Sequence, residues 1–451
     1  MRKLLSTIAL LLLSMALLLF VVSCSSENDT EVENAKPSGT ITLSVYNWGE
    51  YISDGSEDSF NTNAAFEAYY YALTGQKVEV LYTTYSNNEE MYSKISSNAG
   101  TYDVIIPSDY MIERMIAEDM LLEFDVTSLS NYKYISEEFK GANCTYDPTN
   151  RYSVPYTYGM VGIIYNTDLI NPEDLDENGE IKDKSWSLMW NPDYQGKILQ
   201  FNNPRDAFGT AMYYKNIDIN SNKAEDWDEV LELLKEQKSL LQAYVNDEIF
   251  NKMSTGSAAI APYYAGDFII MNSENEALSF YYPKEGTNYF VDAMCIPKNA
   301  RYPDVAKEYI NFMLSEEPAV ANALYIGYAS PNTLVRNNEE YAEEMGEYAM
   351  DILYGTTIDE AKGSYSYDLV YRSLIDTQLV YADGEGANMT VQTYLNNSWE
   401  KLKTWSAVEL WVHIVSGVIV VSVLSICIYN FYIKKKRSRF YRYRDRAMKN
   451  N

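Results

Sequence analysis

At 451 residues, with 36 basic against 64 acidic side chains and a formal charge of −28, the chain has room for two or three domains, and two lobes are expected. Nine basic residues from Lys434 onward (Lys434, Lys435, Lys436, Arg437, Arg439, Arg442, Arg444, Arg446, Lys449) face one acid, Asp445, so the rest carries about −36. That argues against nucleic acid or an anionic substrate as partner and for a cation.

In chain order, residues 1–24 carry Arg2-Lys3, an apolar run and Ser23-Cys24, the order of a secretory signal. Val21-Val22-Ser23-Cys24 resembles the lipobox of bacterial lipoproteins, which implies cleavage before Cys24 and lipidation of its sulfur. A polar linker, 25–39, follows. Apolar alternation predicts strands at 41–46, 77–82 and 104–106, interleaved with helices at 61–73 (closed by Gly75), 88–97 and 109–118. This βαβαβα order predicts an α/β lobe over 40–156 with a mainly parallel sheet, whose ligands sit at the carboxyl ends of the strands. There the run Tyr46-Asn47-Trp48-Gly49-Glu50-Tyr51 brings two aromatic rings and one carboxylate to the end of the first strand. Such a set offers a cation a π face beside a fixed negative charge.

A second lobe is predicted over 157–291, with strands at 160–165, 198–201 and 258–261 and a helix at 227–242; a strand at 291–296 belongs to a return into the first lobe over 292–332. Residues 333–405 are expected to complete the second lobe with closing helices. The single histidine, His413, lies near the C-terminus in an apolar run, and Cys24, Cys144, Cys295 and Cys427 are too dispersed for a metal knuckle. Zinc fingers, histidine-based triads and His-ligated metal centres are thereby excluded from the body. Cys144 and Cys295 could pair in an oxidising compartment, but two isolated buried thiols are expected. Residues 410–433 form an apolar stretch long enough to cross ~30 Å of hydrocarbon. Trp411 on one side and Tyr429, Phe431 and Tyr432 on the other match interfacial belts, and the basic tail, 434–451, marks the cytoplasmic end. The expected location is the cell membrane, with the body on the extracellular or periplasmic side.

Three other signals are weaker. Asp174 to Ile181 opens like a calcium loop, yet Ser185 stands where a bidentate glutamate is needed, so an acidic surface turn is expected. Tyr263-Tyr264 is similar to the tyrosinate pair of ferric-ion-binding proteins, which makes iron the rival ligand. No two acids are fixed at a glycosidase separation, and neither a phosphate-cradling glycine loop nor a nucleophile elbow occurs.

Five ordered motifs carry a family resemblance: Tyr46 to Tyr51, Tyr102-Asp103-Val104-Ile105-Ile106-Pro107-Ser108-Asp109-Tyr110, Tyr152-Ser153-Val154-Pro155-Tyr156, Pro283-Lys284-Glu285-Gly286 and Ile326-Gly327-Tyr328-Ala329-Ser330-Pro331-Asn332. Together, across roughly residues 40–405, the chain resembles the periplasmic spermidine/putrescine-binding proteins of polyamine ABC importers. The resemblance implies a two-lobed periplasmic-binding-protein-like α/β fold (type II), two crossover strands near 156–159 and 291–293, and no enzymatic chemistry. It further implies a polyamine ligand, no cofactor, and ABC permease and ATPase subunits as partners. Its ligand positions fall on Trp48, Glu50, Tyr51, Ser108, Tyr110, Asn203, Asp206, Tyr264, Phe290, Asp292 and Tyr328, with Ser366 a weaker match and Glu50, Asp206 and Asp292 as ammonium anchors. This chain departs from the family with Tyr264 and Phe290 where tryptophan is usual and Asn203 where aspartate is often found; Asp267 could compensate for that lost charge. A non-transport sensor ectodomain signalling through the basic tail is the other alternative.

Overall fold

A computed structural model describes residues 39–98, 100–356, 361, 389–406 and 410–449. Cys24, with the apolar leader, and Ser366 lie outside the described residues.

β1 (Ile41–Trp48) and β2 (Val78–Tyr85) run parallel in unbroken register from Ile41↔Val78 to Trp48↔Tyr85, and β3 (Val104–Ile105) joins β1 on its other side. The intervening helices α1 (Thr62–Thr74), α2 (Asn88–Ser96) and α3 (Asp109–Ala117) match the sequence reading to within one residue at each end. Local chemistry explains that precision. Asn61 caps α1 by accepting from Ala64 N–H at 2.9 Å, and Gly75 ends it at φ 70, a left-handed conformation that costs glycine nothing.

β4 (Ser153–Asn166) is buried along all fourteen residues. Its first half pairs antiparallel with β9 (Tyr289–Cys295), and its second half pairs with β7 (Ile260–Tyr264) and β8 (Leu278–Tyr281). β5 (Ile198–Phe201) lies parallel to both β7 and β6 (Leu241–Val245). One nine-stranded sheet results, in the order β2-β1-β3-β9-β4-β7-β5-β6 with β8 beside β4. The first lobe is built on β1 to β3 and the second on β5 to β8, and only β4 and β9 run through the middle as the two crossover strands. Burial on both faces explains why β4 reads as a nearly continuous apolar run rather than an alternation.

The strand expected at 160–165 begins at Ser153 as β4, and two other expectations shift. The helix expected at 227–242 is α5 (Ala224–Lys238), preceded in the same lobe by α4 (Pro204–Tyr214), and the following residues are strand β6. Ser239 ends the helix, and Leu241-Gln242-Ala243-Tyr244-Val245 alternates with a period of two, a strand signal hidden by its closeness to the helix. The strand expected at 258–261 starts two residues later because Ala258 and Ala259 are spent on the turn after α6 (Glu248–Ser254). Next come α7 (Ala265–Glu274), α8 (Pro303–Met313), α9 (Glu316–Ile326), α10 (Thr333–Arg336), α11 (Glu339–Tyr354) and α12 (Val391–Thr404). α12 packs on α5, where Tyr394 donates to Asp228 at 2.6 Å. Lys238 Nζ donates to the carbonyls of Leu402, Lys403 and Trp405 at 2.7, 2.9 and 2.7 Å, satisfying the orphan acceptors of the helix end.

Cys144 and Cys295 are buried free thiols, and burial raises the pKa of both, that of Cys144 to about 12. The Asp174 segment is a turn: Asp176 Oδ1 accepts from Asn178 and Glu180 N–H, and Tyr194 OH donates to Asp174. α13 (Leu410–Lys449) contains a window, Val415–Lys436, of 22 residues with mean hydropathy 1.9 and no side chain packed inside the protein, long and apolar enough to cross a membrane.

Candidate binding site between the lobes

The carboxyl ends of the strands and the helix starts that follow them deliver the site. Tyr51 follows β1, Ser108 and Tyr110 open α3, Asn203 and Asp206 open α4, and Tyr264 ends β7. Phe290 and Asp292 lie on β9 itself, and Tyr328 comes just after Gly327, whose φ of 76 turns the chain out of α9.

Asp292 is the most informative group. It is 4 % exposed, and its Oδ2 accepts from Tyr51 OH at 2.7 Å, while Tyr51 OH also lies 2.7 Å from Thr157 Oγ1 on β4. Its Oδ1 is buried with no hydrogen-bond partner among the described residues. Burial raises its pKa to about 6, against the lowering effect of the nearby Ser108 and Tyr51 hydroxyls. A buried acceptor left open is costly unless a donor fills it.

A second acidic centre lies in the other lobe. Asp206 Oδ2 accepts from Asn203 Nδ2 at 2.8 Å and from Tyr264 OH at 2.7 Å. Asn203 also caps α4, its Oδ1 taking Asp206 N–H at 2.9 Å, so its amide is already committed to the helix start and to Asp206. A third carboxyl, Asp267 in the first turn of α7, accepts from Tyr328 OH, and burial raises its pKa to about 7.

Between these carboxyls runs an aromatic wall. Tyr264 meets Phe290 edge-on with centroids 5.4 Å apart, Phe290 meets Tyr328 at 5.7 Å, and Tyr328 meets Tyr51 at 5.9 Å. Glycine is required behind it. A Cβ at Gly159 would lie 2.8 Å from the Phe290 ring, and one at Gly266 would lie 2.7 Å from that of Tyr328.

Other expected residues sit further out. Trp48 is half-buried, tilted against Tyr85 at 4.7 Å, and its indole N–H donates to the Ile106 carbonyl at 3.0 Å. Glu50 is exposed with φ 50, a turn that sends Tyr51 inward and the carboxylate outward to accept from Tyr325 OH at 3.0 Å. Its carboxylate therefore stands on the rim rather than with the Asp292 and Asp206 centres. Ser108 accepts from Asn88 Nδ2 at 3.0 Å and bridges to Asp292 through the backbone. Tyr110 accepts from the same amide at 3.1 Å and donates to Glu89 at 3.1 Å.

Sequence reasoning missed Thr157, Asp109 and Arg205. Asp109 is buried at the start of α3, its oxygens taking the N–H groups of Tyr110 at 2.7 Å and Val291 at 3.2 Å, and burial raises its pKa to about 8. The available signal was position: Asp109 and Arg205 each adjoin a residue already in the candidate set, and Thr157 lies in the crossover strand expected near 156–159. Among the described residues no group of three or more His, Cys, Asp or Glu side chains is arranged to hold a metal.

Residues 64–346 match the family described as bacterial extracellular solute-binding proteins. The chain is 30% identical over 303 residues to the spermidine/putrescine-binding periplasmic protein of Salmonella typhimurium, covering 67% of this chain and 81% of that one. It is 27% identical over 303 residues to the putrescine-binding periplasmic protein PotF of Escherichia coli, covering 64% of this chain and 78% of that one. Among solved structures it superposes with TM-score 0.62 and 27% identity on the spermidine/putrescine ABC transporter substrate-binding protein PotD of Streptococcus pneumoniae, over 80% of this chain and 98% of that one.

Proposed function

The chain belongs to the bacterial extracellular solute-binding proteins, and from that premise we propose that it captures a linear polyamine outside the cell and hands it to the permease and ATPase of an ABC importer. The single observation that carries this reading is the buried, unfilled Oδ1 of Asp292 beside an aromatic wall. One ammonium group donates to Asp292 Oδ1, and another to the carboxylates of Asp206 or Asp267. The methylenes between them lie on Phe290, Tyr264, Tyr328 and Tyr51, which suit an alkyl chain carrying positive charge. Trp48, Ser108, Tyr110 and Asn203 orient these groups, and Glu50 attracts the cation at the rim.

Closure of the two lobes about β4 and β9 then buries the ligand. The protein performs no chemistry on it. The α13 window and the leader ending at Cys24 support a body held at the outer face of the membrane by a lipid and by one helix. An iron site is the weaker reading, because burial raises the Tyr264 phenol well above its ordinary pKa and its hydroxyl donates to Asp206, whereas ferric ion needs phenolate.

Titration calorimetry of the detergent-solubilised chain with putrescine, spermidine and ferric citrate tests the proposal. Saturable binding of a polyamine with no heat from ferric citrate is the expected result; binding of ferric citrate alone overturns it.

A further inference from the structure

Arg205 is a cation at the start of a helix, where the aligned peptide dipoles already place positive potential and disfavour it. Its own helix gives no reason for an arginine there. The reason lies across the cleft. The Arg205 guanidinium carbon sits 3.8 Å from the centroid of the Tyr110 ring, which belongs to the first lobe, while its NH2 donates to Gln392 Oε1 of α12 in the second lobe at 3.2 Å. The partners on the two sides are held in place independently: Tyr110 is fixed by Asn88 and Glu89, and α12 is tied to α5 by Tyr394 and Lys238. All three of Tyr110, Arg205 and Gln392 are half-buried, so the stacking is partly shielded from water, where such contacts are strongest.

The location gives the contact a consequence. Arg205 precedes Asp206, the acidic centre of the second lobe, and Tyr110 is two residues beyond Ser108, which bridges to Asp292. Opening the cleft must break the Arg205–Tyr110 stack, and closing it brings Asp206 and Asp292 to the same ligand. We propose that Arg205 is a positioning residue, a latch between the lobes that holds the closed form without touching the ligand. This rests on the polyamine reading for its choice of probe, and on geometry alone for the latch. An arriving ligand meets the open form, so loss of the stack does not slow association; release requires reopening and is slowed by the stack.

The test uses the full chain in detergent and stopped-flow kinetics with putrescine and spermidine. Arg205→Met speeds release roughly ten- to thirtyfold, the fold-change for loss of a shielded cation–π contact, with association no slower than in the parent. Arg205→Lys, which keeps the cation, recovers most of the loss. A release rate unchanged in Arg205→Met, or an equal fall in association, overturns the latch. Hydrogen exchange of the unliganded chain supplies an arm that needs no ligand: Arg205→Met loses protection at residues 109–112 and 205–208, and Arg205→Lys regains it. Identical protection in parent and Arg205→Met contradicts the latch. Failure of both polyamines to bind the parent overturns the ligand assignment instead and leaves this arm to decide on the latch.

Discussion

Asp292→Asn should move stability and binding in opposite directions. The carboxyl is buried and its pKa is raised from 3.8 to about 6, and a shift of about two units corresponds to about 3 kcal/mol of differential free energy at ~1.36 kcal/mol per unit. A folded-state pKa above the unfolded one means that the native state binds the extra proton, so the unliganded parent loses stability as pH rises from about 4 through about 6. Asparagine cannot ionise, and its amide still accepts from Tyr51. Urea unfolding of the unliganded variant should therefore show it gaining up to about 3 kcal/mol on the parent between about pH 4 and about pH 8. Calorimetry should show the reverse for ligand, with putrescine weakened by about 1.5–3 kcal/mol, or roughly ten- to 150-fold, for a lost charge-assisted hydrogen bond. A variant that binds putrescine within threefold of the parent, or whose stability difference from it is flat with pH, would refute the assignment of Asp292 as a buried anchor awaiting a cation.

The remaining predictions test the surroundings. Because burial raises Asp292, Asp267 and Asp109 to about 6, 7 and 8, and a bound cation favours their ionised forms, putrescine affinity should rise with pH across this range with release of protons. Calorimetry in two buffers of different ionisation enthalpy measures that release, and equal heats in both would count against it. Glu50→Gln should cost no more than about 1 kcal/mol of affinity, because that carboxylate is exposed on the rim; a loss as large as that of Asp292→Asn would put Glu50 inside the site. Gly266→Ala should push the Tyr328 ring off Phe290 and Asp267, costing about 1–3 kcal/mol of stability from overpacking and weakening the ligand, read by unfolding and calorimetry; unchanged binding would take Tyr328 out of the wall.

Where local rules govern, the sequence was legible. The first three strands and helices could be placed because capping residues such as Asn61 and Gly75 punctuate them and their apolar periods do not overlap. β6 was lost because its short alternation abuts α5, and the full reach of β4 could not be read because a strand buried on both faces has no alternation to reveal its ends. The site divides in the same way. Asp292, Tyr51, Asp206, Tyr264, Phe290 and Tyr328 are brought together through hydrogen bonds and ring contacts between residues as far apart in sequence as Tyr51 and Tyr328. Glu50 diverges from its neighbour because a positive φ, invisible in a residue pattern, turns the chain between them. Arg205 went unnoticed for a related reason: its partner, Tyr110, is brought to it only by the packing of the two lobes.

The most direct measurement is a crystal structure of the chain grown with putrescine. One ammonium nitrogen should lie about 3 Å from Asp292 Oδ1, with the methylenes against Phe290 and Tyr328. Density for the ligand elsewhere, with Asp292 Oδ1 still unfilled, would contradict it.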